Sequence, residues 1–190
     1  MKVGVLALQG AFLEHIKIVE KIGHIAIPIK TPDQLDEIDK LIIPGGESTT
    51  ISRLLNRYAL DKKIVDLYKN KKIPIFGTCA GMILLAKNIE DDDNLKTLGL
   101  INIKVKRNAF GRQINSFETY LDIKGITPPQ FRAIFIRAPF IREAGKEVDI
   151  LSLYKEDIVA AREENLLVSS FHPELGDDTR VHEYFLKNIS

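Results

Sequence analysis

Short apolar runs alternate with helix-spaced apolar positions along the first half of the chain. The runs are typical of strands buried on both faces of a parallel sheet, and they cover residues 3–8, 25–29, 41–43 and 73–76. Between the first two runs, Phe12, Ile16, Val19 and Ile22 recur at helical spacing, which predicts a helix that ends near Gly23. The pattern therefore predicts strands connected by helices.

The next helix is predicted to begin at about residue 48, after a Pro-Gly-Gly-Glu turn. Ser48 or Thr49 is the expected N-cap, because a side-chain hydroxyl can accept from the free N–H groups of the first turn. Its inward face is predicted to comprise Ile51, Leu54, Leu55 and Tyr58. Further helices are predicted over residues 60–69 and from residue 82.

The pattern changes after residue 88, where apolar and polar positions begin to alternate. This alternation predicts partly exposed strands over residues 98–106 and 116–123. Further strands are predicted over residues 131–136, 148–153, 158–161 and 166–171. A last helix is predicted over residues 180–188. The fold class is therefore predicted as α/β: a three-layer α/β/α arrangement with a mainly parallel central sheet and a small added antiparallel β section. With neither linker nor repeat, residues 1–190 are predicted to form a single domain.

Composition narrows the possible functions. The chain has 190 residues and a net charge of +1, without a basic stripe, so nucleic-acid binding has no electrostatic support. Its apolar runs stay well short of the roughly 20 residues that a membrane span needs, so we expect no membrane association and a cytoplasmic location. A single cysteine excludes an internal disulfide and cannot by itself provide a cysteine-based zinc site.

That cysteine, Cys79, lies in the segment Phe-Gly-Thr-Cys-Ala-Gly of residues 76–81. A lone cysteine is most often a small buried hydrophobe. Here, however, an apolar strand precedes it, a helix follows it, and Gly77 and Gly81 flank it. This is the arrangement of a nucleophile elbow, a strained turn that leaves no room for side chains at the flanking positions. The helix end also favours the thiolate over the thiol.

A nucleophilic thiol needs a base and a group that orients the base. His172 follows the apolar strand predicted at residues 166–171 and precedes Pro173 and Glu174. The carboxyl ends of neighbouring parallel strands lie at one edge of a sheet, so His172 and Cys79 can meet there. Pro173 stiffens the segment, and Glu174 is placed to hydrogen-bond the far nitrogen of His172. A simple turn at a strand end is the alternative.

The other three histidines are interpreted differently. His15 lies in the first helix close to charged residues and is read as a surface or helix-packing residue. His24 falls in a turn, and His182 lies among charged neighbours in the last helix.

A third segment, residues 44–48 (Pro-Gly-Gly-Glu-Ser), also follows a predicted strand. Paired glycines allow close approach of a ligand to the backbone and present N–H groups. Together with the N–H of Ala80, an N–H of this turn, assigned to Gly46, is a candidate oxyanion hole. An ordinary turn is the alternative; a nucleotide-binding P-loop lacks its Gly-Lys-Ser/Thr ending.

Together these segments resemble the three signatures of class I, triad-type glutamine amidotransferases. A narrower resemblance is to the family of glutaminase subunits of pyridoxal 5′-phosphate synthases. It is carried by five ordered segments that span nearly the whole chain: residues 4–10, 44–50, 107–113, 135–139 and 170–175.

The resemblance implies an activity and a set of roles. Members hydrolyse L-glutamine to L-glutamate and ammonia, without cofactor or metal, using a nucleophile, a base and an orienting carboxylate that match Cys79, His172 and Glu174. The matched substrate-binding positions are Gly46, Glu47, Ser48, Arg107, Ile136 and Arg137. Arg107 or Arg137 would pair with the α-carboxylate of glutamine; an exposed arginine without a ligand is the alternative for each. Gln9 would lie near the site, on the side that faces the partner.

The resemblance also implies a partner. Ammonia would pass through a tunnel to a separate synthase subunit, which builds pyridoxal 5′-phosphate from a pentose phosphate and a triose phosphate. The assembly would contain twelve copies of each subunit. Docking would complete the oxyanion hole, so the isolated glutaminase would be nearly inactive.

Three other functions remain open at this point. One is the glutaminase of another amidotransferase, such as imidazole-glycerol-phosphate synthase, against which the Leu-Gln-Gly and Gly-Glu-Ser-Thr-Thr segments argue. Another is a related cysteine hydrolase or redox-sensing domain, in which the base often follows the cysteine directly, whereas Ala80 follows it here. The last is a catalytically idle binding module.

Overall fold

The computed structural model describes residues 1–90, 92, 94–107 and 116–189. Of the segment 107–113, which contributes to the family resemblance, only Arg107 lies within the described residues. The helices of the described residues are α1 (Phe12–Lys21), α2 (Ser48–Arg57), α3 (Leu60–Lys71), α4 (Ala80–Leu85) and α5 (Arg180–Asn188). Two short 3-10 helices are Asp33–Glu37 and Pro173–Leu175. In the described part of the chain, none of the helices combines the length and apolarity needed to span a bilayer.

The strands of the described residues are β1 (Lys2–Leu6), β2 (Ile25–Ile29), β3 (Lys40–Ile43), β4 (Ile75–Thr78), β5 (Ala86–Ile89), β6 (Ile101–Lys106), β7 (Ser116–Leu121), β8 (Phe131–Ile136), β9 (Phe140–Ala144), β10 (Asp149–Tyr154), β11 (Asp157–Glu163) and β12 (Leu166–Ser169). The sequence pattern did not predict β5 or β9. The other strands lie within or close to their predicted ranges.

The main sheet has the order β2-β1-β3-β4-β12-β11-β9-β6-β5, and β10 pairs with β11. From β2 to β12 every neighbouring pair is parallel. From β12 to β6 the pairs are antiparallel, and β7 and β8 form a separate antiparallel hairpin. The prediction of an α/β fold with a mainly parallel sheet and an added antiparallel section is confirmed.

Apolar side chains of the parallel strands enter two separate cores. Ile42 and Phe76 point to a core that also contains Val19 of α1 and Phe185 of α5. Their neighbours Leu41, Ile43 and Ile75 point to the opposite core, which includes residues of α2, α3 and α4. Because successive side chains on a strand face opposite sides, this alternation produces three layers.

The N-cap of α2 differs from the predicted one. The carboxylate of Glu47, not a hydroxyl of Ser48 or Thr49, accepts hydrogen bonds from the backbone N–H groups of Thr49 and Thr50, at 3.0 and 2.7 Å. Ser48 is instead the first helical residue. Tyr58, predicted on the inner face, is exposed; α2 ends at Arg57, and Tyr58 is its C-cap.

Candidate active site

A cleft opens at the carboxyl ends of four neighbouring parallel strands, β1, β3, β4 and β12. Its volume is about 480 Å³, within the range usual for small-molecule sites. Its lining comprises Gln9, Gly10, Ala11, Glu14, Gly45, Gly46, Glu47, Ser48, Cys79, Ala80, Ile83, Arg107, Ile136, Arg137, His172 and Leu175. The segments that end these strands are far apart in sequence, and the sheet order brings them together.

Cys79 occupies the tight turn between β4 and α4. Its φ of 48° and ψ of −101° are unusual for a residue with a side chain and mark a strained backbone. A Cβ on Gly81 would lie 2.1 Å from the carbonyl oxygen of Ile43, and one on Gly77 would lie 2.7 Å from the backbone of Gly81. The steric need for both glycines is therefore confirmed. The N–H of Cys79 donates to the carbonyl of Ser169 at 2.8 Å, which ties the turn to β12.

His172 and Glu174 stand beside this turn. Nδ1 of His172 lies 2.7 Å from Oε1 of Glu174, and both residues are buried. The backbone N–H of His172 donates to the carbonyl of Ile134 at 2.8 Å, which fixes the start of the segment. A Cβ on Gly45 would lie 2.4 Å from Cε1 of His172 and 3.3 Å from Cβ of Cys79, so the glycine backbone packs directly against both side chains.

The electrostatics favour charged forms of the buried pair. Burial alone would lower the pKa of His172, but hydrogen bonding to Cys79 and Glu174, and their charges, outweigh it and raise the pKa to about 10. Burial alone would raise the pKa of Glu174, but His15 and His172 outweigh it, so the pKa of this carboxyl is lowered. An imidazolium beside a carboxylate is the expected form at neutral pH.

The glycine turn after β3 is held from two sides. The side-chain oxygen of Gln9 accepts from the backbone N–H of Glu47 at 2.8 Å. The carbonyl of Gly45 accepts from the N–H of Ala11 at 3.0 Å. Gln9 thus lines the cleft and braces the turn that contains Gly46.

The predicted substrate-binding residues meet at the same cleft. Arg107 lies across it, with Nη1 2.5 Å from Oδ2 of Asp92 and Nη2 3.8 Å from Oε1 of Glu47. Ile136 ends β8 and Arg137 follows it; both are exposed and line the cleft. The carbonyl of Ile136 is 3.9 Å from Sγ of Cys79. The cleft lining thus includes two arginines, Arg107 and Arg137.

Two histidines are placed differently from the interpretation of the sequence. His15 and His182 are fully buried and contact each other behind Glu174. Of the two interpretations of His15, helix packing is confirmed and a surface position is wrong; His182 is buried although its neighbours along the chain are charged. His15 shares the helical spacing of Ile18, Val19 and Ile22, and His182 that of Phe185, Leu186 and Ile189. This spacing on an apolar stripe is the signal that indicates burial.

Several cleft residues were not predicted from the sequence. Glu14, Ile83 and Leu175 also line the cleft. Leu175 directly follows Glu174, and Ile83 lies about one helical turn after Ala80 on α4. Within the part of the chain that the structure describes, no group of three or more His, Cys, Asp or Glu side chains is arranged to hold a metal ion.

Comparison with known proteins places this geometry in context. Residues 5–190 match the model of the SNO glutamine amidotransferase family. A relative from Thermotoga petrophila, named pyridoxal 5′-phosphate synthase subunit PdxT, is 50% identical over 189 residues, covering 100% of both chains. A relative of the same name from Niallia circulans is 53% identical, covering 100% of this chain and 98% of its own. A crystal structure titled glutamine amidotransferase superposes with a TM-score of 0.93 at 42% identity, covering 97% of each chain.

Proposed function

The chain belongs to the SNO glutamine amidotransferase family, and from this premise we propose that it hydrolyses L-glutamine to L-glutamate and ammonia as the glutaminase subunit of a pyridoxal 5′-phosphate synthase. The observation that carries the proposal is the position of Cys79. It lies on a strained turn in an open cleft, beside a buried histidine whose far nitrogen is 2.7 Å from a carboxylate oxygen. Full-length relatives at about half identity bear the synthase-subunit name.

In the first half-reaction, the thiolate of Cys79 attacks the side-chain amide carbon of glutamine. The C–N bond then breaks, and the imidazolium of His172 gives its proton to the departing nitrogen, which leaves as ammonia. The product on the enzyme is a γ-glutamyl thioester. Glu174 holds the Nδ1–H of His172 and stabilises its charged form.

In the second half-reaction, His172, now neutral, accepts a proton from water as the water oxygen attacks the thioester carbon. The C–S bond breaks, glutamate leaves, and the thiolate–imidazolium pair is restored. Glutamine and water are thus converted to glutamate and ammonia, and the residues return to their starting state. Each tetrahedral intermediate carries an oxyanion, for which we assign the backbone N–H groups of Ala80 and Gly46.

Binding of glutamine is assigned to the residues around the thiol. Arg107 or Arg137 pairs with the α-carboxylate, because guanidinium groups bind carboxylates in two-pronged geometry. Arg107 would exchange its present ion pair with Asp92 for the substrate. Gly46, Glu47, Ser48 and Ile136 complete the pocket walls.

The partner is proposed to be a synthase subunit in an assembly of twelve copies of each chain, which receives the ammonia through a tunnel. A sheltered path matters because ammonia released into neutral water is protonated and loses its nucleophilic lone pair. We also propose a cytoplasmic location, since a nucleophilic thiol is best preserved where thiols remain reduced.

The decisive experiment measures ammonia release from glutamine, with and without the synthase subunit. We expect weak turnover by the isolated chain, a several-fold rise on addition of the synthase subunit, and no turnover by Cys79→Ala or His172→Ala. His24→Ala is the matched control, because His24 lies directly before β2, outside the cleft. Undiminished ammonia release by folded Cys79→Ala would overturn the proposal, and an equal rate with and without the synthase would remove its docking component.

A further inference from the structure

A buried polar cluster lies on the far side of Glu174 from the cleft. Nε2 of His15 is 3.4 Å from Oε2 of Glu174 and 3.2 Å from Oγ1 of Thr78. Nδ1 of His15 is 2.9 Å from Nε2 of His182. The cluster therefore joins α1, α5, the residue before Cys79 and the carboxylate that contacts His172.

Each polar atom of this cluster is costly to bury without a partner. The side chains of His15 and Glu174 are fully inaccessible, and His182 is fully buried. Among the described residues, Oε2 of Glu174 and Nδ1 of His182 have no hydrogen-bond partner of good geometry. A buried carboxylate oxygen without a donor costs more than a neutral nitrogen lone pair. Nε2 of His15, 3.4 Å from Oε2 of Glu174, is placed to reduce that cost.

The contacts select one arrangement of protons. If His15 donated through Nδ1 to His182, its unprotonated Nε2 would face the negative Oε2 of Glu174, and the N–H at Nδ1 of His182 would have no acceptor. In the other arrangement, Nε2–H of His182 donates to Nδ1 of His15. The proton of His15 is then on its Nε2, between Thr78 and Glu174, and only the neutral lone pair on Nδ1 of His182 is left without a partner. The second arrangement places a proton opposite the carboxylate and is the favoured one.

Resting on the function proposed above, we propose that His15 is a positioning residue of the glutaminase: its Nε2–H faces the second oxygen of Glu174 at 3.4 Å and attracts it, so that the first oxygen stays on Nδ1 of His172. His182 in turn fixes the tautomer of His15. The chain of contacts then runs from His182 through His15, Glu174 and His172 to Cys79. His15 touches neither substrate nor reacting atoms and acts through Glu174.

The charges around His15 agree with a neutral, donating ring. Burial lowers the pKa of His15. The carboxylates of Glu174 and Glu14 oppose this lowering, and the positive charge of His172 adds to it. Burial, with His15 adding to it, lowers the pKa of His182 to about 3. Both rings are therefore neutral near pH 7, and the positive charge of the network stays on His172, where the reaction needs it.

The first test measures the rate at which Cys79 is alkylated in the variants His15→Leu, His15→Gln and His15→Asn. Alkylation is specific for this residue because the chain has no other cysteine. The amide nitrogen of Gln reaches the position of Nε2, whereas Asn is too short. A displaced Glu174 destabilises the His172 imidazolium and hence the thiolate. We expect alkylation by iodoacetamide near pH 7 to slow about tenfold in the Leu and Asn variants, with little change for Gln and unchanged rates near pH 10. A pH profile equal to wild type in all three variants would overturn the proposal.

The second test is a double-mutant cycle on kcat for glutamine hydrolysis, in the complex with the synthase subunit. We expect His15→Leu to lower kcat about tenfold or more, with KM nearly unchanged, and to have little further effect in a Glu174→Gln background. Equal losses in both backgrounds would show that His15 does not act through Glu174. Wild type and Cys79→Ala, assayed in parallel, report separately on the proposed function. His24→Leu controls for loss of a histidine outside the network.

Discussion

Gly45 illustrates how a single residue fixes the reacting geometry. Its backbone packs against both the ring of His172 and Cβ of Cys79. A side chain at this position would occupy space that the imidazole fills, so the close approach of base and nucleophile depends on its absence. Catalysis is sensitive to such placement, because a shift of about 1 Å can cost about a hundredfold in rate.

We therefore predict that Gly45→Ala lowers kcat for glutamine hydrolysis about a hundredfold, since the new Cβ would lie 2.4 Å from Cε1 of His172. The measurement is steady-state ammonia release with the synthase subunit present. Gly176→Ala is the matched control, because a Cβ there would find its nearest neighbour, the N atom of Asp178, at 4.0 Å. Equal activity of the two variants would contradict this role of Gly45.

The catalytic residues could be predicted from the sequence where the residues next to them in the chain indicate their role. Cys79 between two glycines and His172 before Pro-Glu carry local signals. The signal for His15 and His182 is weaker, because charged residues lie beside each of them in sequence and only their helical spacing with apolar residues indicates burial. Their burial depends on α1 and α5 packing on the same face of the sheet, and that contact between distant segments is absent from a local pattern.

At the scale of elements, the cap of α2 couples local stability to pH. Glu47 accepts from the N–H groups of Thr49 and Thr50 and from the hydroxyl of Thr50. Burial alone would raise the pKa of Glu47, but these hydrogen bonds outweigh it and lower the pKa from 4.5 to about 2. Because the folded-state pKa lies below the unfolded value, the stabilisation is present above about pH 4.5 and is lost as the pH falls towards 2.

We predict that Glu47→Gln lowers the free energy of unfolding by about 0.5 kcal/mol near pH 7, because the amide keeps an acceptor oxygen but loses the negative charge at the helix N-terminus. The difference from wild type should shrink between about pH 5 and pH 2, as the wild-type carboxylate becomes protonated. Urea unfolding at a series of pH values measures it, with the exposed Glu20→Gln on α1 as control. A difference that stays constant over this range would exclude the ionised carboxylate as the cap.

The elements that the sequence predicted well are the buried parallel strands and the helices around them. Their apolar runs are continuous because both faces of the sheet are covered. The missed strands β5 and β9 are short and half-exposed: β9 contains the exposed residues Arg142 and Glu143, and β5 contains the exposed residues Lys87 and Asn88. Such strands are specified by their partners in the sheet and not by their own pattern.

At the scale of the whole molecule, the site is a consequence of strand order. Insertion of β12 beside β4 brings His172 next to Cys79, with Ser169 paired in register with Thr78. On the other side of β4, Ile43 pairs with Gly77, which brings the glycine turn level with the nucleophile. Parallel strands put these ends at one edge, so three segments that the sequence presents separately form one cleft.

The central claim is that Cys79 is the nucleophile that attacks glutamine, and it is most directly tested by covalent trapping. A diazoketone analogue of glutamine forms a thioether with a nucleophilic thiol and loses nitrogen gas, and intact-mass analysis counts the adducts. With the synthase subunit present, we predict one adduct on the chain, located at Cys79, suppressed by excess L-glutamine and absent from Cys79→Ala. Absence of any adduct on wild type, or an adduct of equal yield on Cys79→Ala, would contradict the account.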